Sequence, residues 1–394
     1  MNRIKNTIKI IENNLGISLK AFPHASGIDQ QYFIHKGKLR FLEFHELHFE
    51  NLDALKPVFQ IVKRLIFYDC TFNTNTIVEG FKQFTALEHV VVNITEDTNL
   101  TTADSILTVQ AFLQLENLKE LEILIDYEKL PANTVILDFK ELKNIERLRI
   151  HSYNVNSDKM IVFKGAEYLT KLKKLELECD CMIADLNKFK KLQHLCTESF
   201  HLQITDKLKT LKTLEISVLK DDYSIYSLEQ FPNLENLKIS SCNSIQLGKL
   251  EKLKRLVLSP GDDLEDATRF DQLPNLEELE LHLSDSAEIK NLDKLTNLKS
   301  LNFGYENGVP SKITNIDGLK NLKQLEYLNL YNNNISDISV LNELPNLKEV
   351  NLGCNDITEE DAKKQLKKPV VLYFSGLPVR PKTNVPWGIW GNID

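Results

Sequence analysis

The sequence predicts an α/β solenoid, in which short repeated units stack on one another, and three observations lead to this prediction. Residues 325–333 follow the pattern L-x-x-L-x-L-x-x-N without a mismatch, and residues 347–355 repeat it with valine in the fourth place. Related segments recur along the chain, with first anchor residues at Leu39, Val62, Leu87, Leu118, Ile145, Leu172, Leu192, Leu211, Leu234, Leu253, Leu276, Leu298, Leu325, Leu347 and Pro369. The anchors are spaced by about 24 residues on average, within the range of roughly 20–29 expected of such a repeat.

The L-x-L centre of each copy predicts a short strand, because successive side chains of a strand point to opposite faces. With Leu325 as the first position, the aliphatic fourth and sixth positions point to a shared interior. The third, fifth and seventh positions point outward, and together they are called the strand face below. Stacked copies then form a parallel sheet of about fifteen strands. Cysteine or asparagine in the ninth position is expected to pack at the strand exit and satisfy buried backbone groups, as at Cys70, Cys242, Asn333 and Asn355.

The segment Asn334–Leu347 resembles the 22-residue repeats of internalins and of phosphatase-regulatory leucine-rich-repeat proteins. The segments Leu273–Leu276 and Phe231–Leu234 are similar to it. This resemblance implies a leucine-rich-repeat horseshoe, with a concave parallel sheet and a convex side of short helices, 3-10 turns and loops. Longer intervals between residues 87 and 172 favour full convex helices there, for example over residues 102–115.

Three segments are predicted. Residues 1–38 form an N-terminal cap, residues 39–374 the repeat array, and residues 375–394 a C-terminal capping tail. Caps are expected because both ends of a repeat stack expose unpaired strand edges and apolar core. Apolar residues at helical spacing predict a helix over residues 4–15, and residues 359–367 are read as a last helix. The tail carries Trp387 and Trp390, which either seal the last repeat or serve as a recognition peptide.

Composition and charge limit the classes of function. The 394 residues carry a net charge of −8, and lysines are interleaved with glutamates, which argues against nucleic acid as a partner. No apolar run approaches the roughly 20 residues of a membrane helix, and no secretory leader is recognisable. The six cysteines are too few for a disulfide framework. We therefore expect a cytoplasmic protein that binds no membrane, with a composition typical of an AT-rich bacterial source.

Sequence motifs for catalysis are absent, since no phosphate-binding, dinucleotide-binding or nucleophile-elbow pattern occurs. Metal-binding residue types cluster only at Cys179, Cys181, His194 and Cys196, where a zinc site or a redox pair is the alternative to ordinary packing. The register places His194 and Cys196 on the strand face and both other cysteines at a strand exit, so the four do not converge. The chain is predicted to be no enzyme and to hold no cofactor or metal.

The strand face supplies the candidate binding residues. Its C-terminal part carries an amphipathic patch of the kind enriched in interfaces, with the members Tyr327, Asn329, Tyr331, Asn351 and Tyr373. Because Leu328 points inward and Asn329 outward, alanine is expected to destabilise at Leu328 and to cost little at Asn329.

An acidic strip forms the second candidate, with the members Glu176, Glu178, Glu198 and Glu215. It is expected to steer a basic partner protein. Upstream, Glu120 and Glu122 are expected to pair across strands with Arg147 and Arg149, or alternatively to contact a partner.

These features predict a non-catalytic scaffold that holds a partner protein on its concave face. One alternative is a cytoplasmic immunity protein that neutralises a bacterial toxin, because a large acidic wall suits a basic effector. Another is an internalin-like surface adhesion protein, which is expected to carry a leader and an anchor that the sequence does not show.

Overall fold

The computed structural model describes residues 2–22, 29–73, 77–94, 115, 117–126, 134–140, 142–153, 160–178, 181–182, 185–197, 206–217, 224–225, 228–240, 244–245, 247–259, 270–281, 292–304 and 313–374. The chain divides into two compact units, unit 1 (residues 1–210) and unit 2 (residues 211–394). Each unit is described by itself.

Among the residues that the structure describes, unit 1 begins with a helix, Asn2–Leu15, which is followed by fourteen strands. They are β1 (Lys20–Ala21), β2 (Gln31–His35), β3 (Lys38–His45), β4 (His48–Phe49), β5 (Arg64–Tyr68), β6 (Thr71–Phe72), β7 (His89–Ile94), β8 (Glu120–Asp126), β9 (Thr134–Asp138), β10 (Arg147–Tyr153), β11 (Met160–Lys164), β12 (Lys174–Glu178), β13 (Cys181–Met182) and β14 (His194–Thr197). A second helix spans Ile77–Lys82, and 3-10 helices span Asp53–Val58, Ala166–Tyr168 and Leu186–Lys188.

The main sheet of unit 1 has the order β1-β2-β3-β5-β7-β8-β10-β12-β14. All neighbours in it are parallel except β2 and β3, which form an antiparallel pair. The short strands form separate parallel ladders, β4 with β6 and β9 with β11 and β13. The repeat thus adds one main strand per copy, and the extra strands β1 and β2 precede the first copy.

Unit 2 contains β15 (Thr213–Ser217), β16 (Ser224–Ile225), β17 (Asn236–Ser240), β18 (Ser244–Ile245), β19 (Arg255–Ser259), β20 (Glu278–Leu281), β21 (Ser300–Asn302), β22 (Tyr327–Asn329), β23 (Glu349–Asn351) and β24 (Val371–Tyr373). Its main strands pair in parallel in the order β15-β17-β19-β20-β21-β22-β23-β24, and β16 pairs with β18. Between strands lie the 3-10 helices Phe270–Gln272, Leu292–Lys294, Asp317–Asn321 and Ser339–Glu343, and the helix Glu359–Gln365.

The predicted strands and their register are confirmed, since each of the fifteen anchors is followed by a strand that contains its third position. Leu175 and Leu328, both in fourth positions, are fully buried. The helix expected over residues 4–15 is present and buries Ile8 and Ile11, and the last helix is capped by the Thr358 hydroxyl, which accepts from Asp361 N. Residues 102–114, most of the expected convex helix, lie outside the described residues, as does the tryptophan tail.

The ninth-position prediction is confirmed where these positions are described. The Asn333 side chain donates to Leu330 O at 3.1 Å and accepts from Ile313 N at 3.2 Å. Asn355 makes the equivalent bonds, donating to Leu352 O at 3.1 Å and accepting from Ile335 N at 3.0 Å. Cys70 is 1% exposed, and burial raises the pKa of its thiol to about 12, so it is a packing residue. Cys242 lies outside the described residues.

Candidate functional site

The strand face of unit 1 consists of parallel rows of side chains, because the strands align third position with third and fifth with fifth. The third-position row is Phe41, Arg64, His89, Glu120, Arg147, Lys174 and His194. The fifth-position row is Glu43, Ile66, Val91, Glu122, Arg149, Glu176 and Cys196. Neighbouring strands lie about 4.8 Å apart, so side chains in a row reach one another.

Arg149 is the centre of an ionic network on this face. Its side chain is only 7% exposed, and it donates from Nη1 to Glu122 Oε1 at 2.8 Å and from Nη2 to Glu178 Oε1 at 3.1 Å. Burial alone would lower the pKa of the guanidinium, but Glu122 and Glu178 hold it above its ordinary value. His151 also hydrogen-bonds to Glu178. The predicted pairing of Glu122 with Arg149 is confirmed, and it extends to a third strand.

The predicted pairing of Glu120 with Arg147 is wrong. Arg147 turns to the strand on its other side, where its Nη2 lies 3.0 Å from Glu176 Oε2. Glu120 instead lies 3.1 Å from His89 Nδ1. Burial lowers the pKa of His89 to about 3, so the ring is neutral at neutral pH and this contact is not an ion pair there. Arg147 has one carboxylate in register, Glu120 on β8, and a second within diagonal reach, Glu176 on β12, and the alternation of faces does not choose between them.

The predicted acidic strip is compensated in the part that the structure describes. Glu176 contacts both Arg147 and Lys174, and burial would raise the pKa of its carboxyl, but these cations hold that pKa below its ordinary value. Glu178 contacts Arg149 and His151. Glu215 is half-buried on β15, and Glu198 lies outside the described residues. The two described glutamates of unit 1 therefore present little net negative charge.

An apolar cluster occupies the N-terminal part of the strand face. Phe41 and Ile66 hold third and fifth positions and so point outward by alternation, yet each is only 4% exposed. They pack with Val91 and Leu124, and Phe33 and Tyr68 lie against the cluster. Outward direction does not ensure exposure here, because these apolar side chains pack against one another along adjacent strands.

In unit 2 the three tyrosines of the predicted patch are half-buried: Tyr327 lies on β22, Tyr331 just after the end of β22, and Tyr373 on β24. The Tyr373 hydroxyl donates to Glu349 Oε2 at 3.3 Å, and the Lys348 ammonium lies 6.0 Å from the centre of the Tyr327 ring. Tyr331 lies against Gly353, where an added Cβ would come within 2.9 Å of the ring atom Cδ2. Glycine at this seventh position is therefore what lets the Tyr331 ring lie across the backbone of the next strand.

Asn329 and Asn351 were predicted to face solvent, and this prediction is wrong. Their side chains are 3% and 0% exposed. Asn329 Nδ2 donates to Asn302 Oδ1 at 2.9 Å, and Asn329 Oδ1 accepts from Tyr331 N at 3.1 Å. Asn351 Oδ1 likewise accepts from Gly353 N at 3.0 Å. These fifth-position amides form a structural ladder under the tyrosines, so the candidate contact residues there reduce to Tyr327, Tyr331 and Tyr373.

A row of alternating charges in the second positions is a feature that the sequence interpretation missed. The residue after the first anchor supplies it in twelve of the fifteen copies, the exceptions being Arg40, Gln193 and Val370: Lys63, Glu88, Lys119, Glu146 and Lys173 in unit 1, and Lys212, Glu235, Lys254, Glu277, Lys299, Glu326 and Lys348 in unit 2. Glu88, for example, lies 2.6 Å from Lys63 and 2.9 Å from Lys119. The signal was visible in the sequence once the copies were aligned.

The candidate metal cluster is only partly described. His194 and Cys196 lie two residues apart on β14, in the third and fifth positions, as the register predicts. Cys179 lies outside the described residues. Among the described residues, no group of three or more histidine, cysteine, aspartate or glutamate side chains is arranged to hold a metal ion. A search of the same residues for a helix able to cross a membrane finds none.

Comparisons with known proteins agree with the repeat pattern. A family model for two copies of the leucine-rich repeat matches residues 323–368. No curated protein matches the sequence. Among solved structures, the chain is similar to an internalin from Listeria monocytogenes, with 19% identity, 82% of this chain and 75% of that chain covered, and a TM-score of 0.37.

Two further solved structures are similar. A leucine-rich-repeat protein from Leptospira interrogans is 19% identical, with 82% of this chain and 92% of that chain covered and a TM-score of 0.42. The TLR13 chain of a TLR13–ssRNA13 complex is 14% identical, with 88% and 74% covered and a TM-score of 0.34.

Proposed function

We propose that this leucine-rich-repeat protein is a non-catalytic scaffold that holds a partner protein on its strand face. One observation carries the proposal. The fourth positions stay aliphatic from copy to copy and the sixth positions stay apolar except at Thr197, whereas the third and fifth positions vary in charge, size and aromatic character on the same strands. A surface whose side chains are already held in place loses little conformational entropy when it binds.

The tyrosine patch is proposed as one contact region. Tyr327, Tyr331 and Tyr373 combine a broad apolar ring with a polar hydroxyl, and tyrosine is among the residues enriched in interface hot spots. All three are half-buried, so their rings are held by neighbours and yet remain accessible on one side. Val371 beside them is 53% exposed, which adds apolar area at the same place.

A cytoplasmic location is part of the proposal. Cys354 is an exposed free thiol, which suits a reducing compartment better than an oxidising one. The more specific alternative, an inhibitor of a basic toxin, receives no support from Glu176 and Glu178, because both are engaged by cations of the same face.

Capture from a native extract tests the proposal. The full chain is immobilised, retained proteins are identified by mass spectrometry, and the affinity of a purified partner is then measured. Replacing Tyr327, Tyr331 and Tyr373 together by alanine should weaken that affinity by at least about tenfold, as expected of a hot spot. Tyr168→Ala is the matched control, because Tyr168 is an exposed tyrosine on a 3-10 helix between strands.

Two outcomes would contradict the proposal. The first is that the immobilised chain retains no protein beyond a blank matrix. The second is that the triple variant binds a retained partner as tightly as the Tyr168→Ala control does, which would remove the strand face of unit 2 from the proposed contact.

A further inference from the structure

Arg64, in the third position of β5, is a charged side chain whose guanidinium has no acceptor among the described residues. Its Nε is buried and makes no hydrogen bond, and within the described part of the chain no carboxylate lies within ion-pair distance of it. Burial lowers the pKa of this guanidinium, an effect that Glu122 and Tyr68 oppose only from a distance. A partly desolvated cation without a partner is unfavourable, and such groups are usually explained by a ligand, an ion or water.

Comparison with the other arginines isolates Arg64. Nε is buried without an acceptor in Arg40 and Arg149 as well. The terminal nitrogens of Arg149, however, are bound by Glu122 and Glu178. Arg40 lies in a second position, in the same row as Lys63, and not on the strand face. Of the arginines and lysines on the described strand face of unit 1, Arg64 alone has no ion pair, since Arg147 and Lys174 bind Glu176.

The neighbours of Arg64 leave room for an acidic ligand. Phe41 flanks it in register on β3 and His89 on β7. His89 is neutral at neutral pH and is held by Glu120, so it does not compete for an anion. The nearby carboxylates are engaged elsewhere, Glu43 by His45 and Glu122 by Arg149. The site therefore offers the N–H donors of one guanidinium, flanked by the Phe41 ring on one side and the His89 ring on the other.

We propose that Arg64 is a carboxylate-binding site, which takes an aspartate or glutamate side chain, or a chain terminus, of the partner protein. A guanidinium binds a carboxylate through two parallel N–H···O bonds, which supplies the acceptors that Arg64 lacks. Only the source of the carboxylate rests on the proposed scaffold function. The partner is thereby assigned an acidic anchor, in contrast to the basic partner that the sequence predicts.

Acetate is the probe for the site itself. The full chain is labelled with ¹⁵N-arginine, the Nε–Hε signals are recorded by NMR, and sodium acetate is added against sodium chloride of equal ionic strength. The Arg64 signal, assigned by its loss in Arg64→Lys, should move saturably with acetate and not with chloride. The Arg149 signal is the internal control and should not shift, because Glu122 and Glu178 already bind the terminal nitrogens of that guanidinium.

Arg64→Gln separates binding from a structural role. Because the removed charge has no partner in the described part of the chain, thermal unfolding of this variant should occur at the same temperature or a higher one. Its affinity for a partner captured by the wild-type chain should fall by about tenfold, as expected when one member of a desolvated charge pair is lost.

The outcomes distinguish the two proposals. If the Arg64 signal shifts no more with acetate than with chloride, or no more than the Arg149 signal does, the proposed carboxylate site is wrong even where a partner has been captured. If acetate moves Arg64 and no partner is captured, the site stands for small carboxylates while the scaffold function fails. A clear loss of thermal stability in Arg64→Gln would contradict the site, because it would show that the chain itself uses the charge.

Discussion

The strand faces of unit 1 and unit 2 are built on strands of the same register, yet they satisfy their buried polar groups by different chemistry. In unit 1 the fifth position of β10 is Arg149, which is bound by carboxylates from both neighbouring strands. In unit 2 the same position of β22 is Asn329, which is bound by another amide and by a backbone N–H. Ion pairs make stability depend on pH and salt, whereas neutral amides do not. The two faces should therefore respond differently to solution conditions while their cores respond alike.

The largest expected effect concerns the cores. Leu175→Ala in unit 1 and Leu328→Ala in unit 2 each remove a fully buried side chain from a fourth position. Each should lower the free energy of unfolding by about 2–5 kcal/mol, the usual cost of a large-to-small change in a packed core. Urea denaturation followed by circular dichroism measures both. If either variant were as stable as wild type, that leucine would not be packed as the register requires.

The amide ladder of unit 2 gives the next effect. Asn329→Ala leaves Tyr331 N and the half-buried Asn302 side chain each without one partner, so we expect a loss of about 1–3 kcal/mol. Ser300→Ala is the matched control, because Ser300 is a half-buried polar residue on the neighbouring strand, and it should change stability by less than about 0.5 kcal/mol. Equal stability of both variants in urea denaturation would show that the ladder contributes nothing.

Acid should destabilise unit 1 before unit 2. Burial lowers the pKa of His89 to about 3 and that of His194 to about 4, from 6.5 for an ordinary histidine. The unfolded chain then takes up protons that the folded chain does not, so stability falls as pH drops from 6.5 toward these values. In unit 2, burial raises the pKa of Glu278. This group therefore adds stability as the pH drops, the opposite of the two histidines, because protonation removes a buried charge.

Hydrogen exchange at amides of β7, β14 and β20 measures this difference, after correction for the intrinsic rates. Protection should fall in β7 and β14 between pH 6.5 and 4, within the window set by the two histidines, and should hold in β20. In His89→Gln the decline in β7 should become shallower, because the titrating ring is gone. Parallel loss of protection in all three strands would contradict a difference between the faces.

The strands and their register could be predicted from the sequence, because the spacing of aliphatic residues fixes which side chains turn inward. Depth of burial on the strand face could not. Asn329 and Phe41 both point outward by alternation, and both are nevertheless buried by side chains of adjacent strands. Alternation describes one strand at a time, whereas burial on a parallel sheet depends on the lengths of the neighbours on both sides.

Pairing on the strand face was predicted only in part for the same reason. Glu122 and Arg149 pair as expected, but Arg147 lies in register with Glu120 on one side and has Glu176 within reach on the other. Pairing of Arg147 with either glutamate brings opposite charges together, so charge alone does not decide between them. The contact of His89 with Glu120 distinguishes the two glutamates, and the sequence pattern does not predict it. Arg64 lies on the strand face, as its third position predicts. Its lack of an acceptor among the described residues depends on the side chains of β3, β5 and β7 together, which the alternation within one strand does not describe.

Substitutions in the alternating second positions should have the smallest effect on stability. They test whether alternating lysines and glutamates stabilise both units in the same way. Glu88 contacts two lysines in unit 1, and Glu277 contacts Lys299 in unit 2. Glu88→Lys and Glu277→Lys should each cost on the order of 1 kcal/mol or less, because exposed pairs contribute about 0.2–1 kcal/mol each.

Glu88→Gln separates the lost attraction from the new repulsion. In 1 M NaCl, where charges are screened beyond about 3 Å, the deficit of the lysine variants should shrink toward that of the glutamine variant. A deficit that is unchanged by salt would mean that the glutamates act through packing of their aliphatic stems, and the alternation of charge would then not be what keeps neighbouring copies in register.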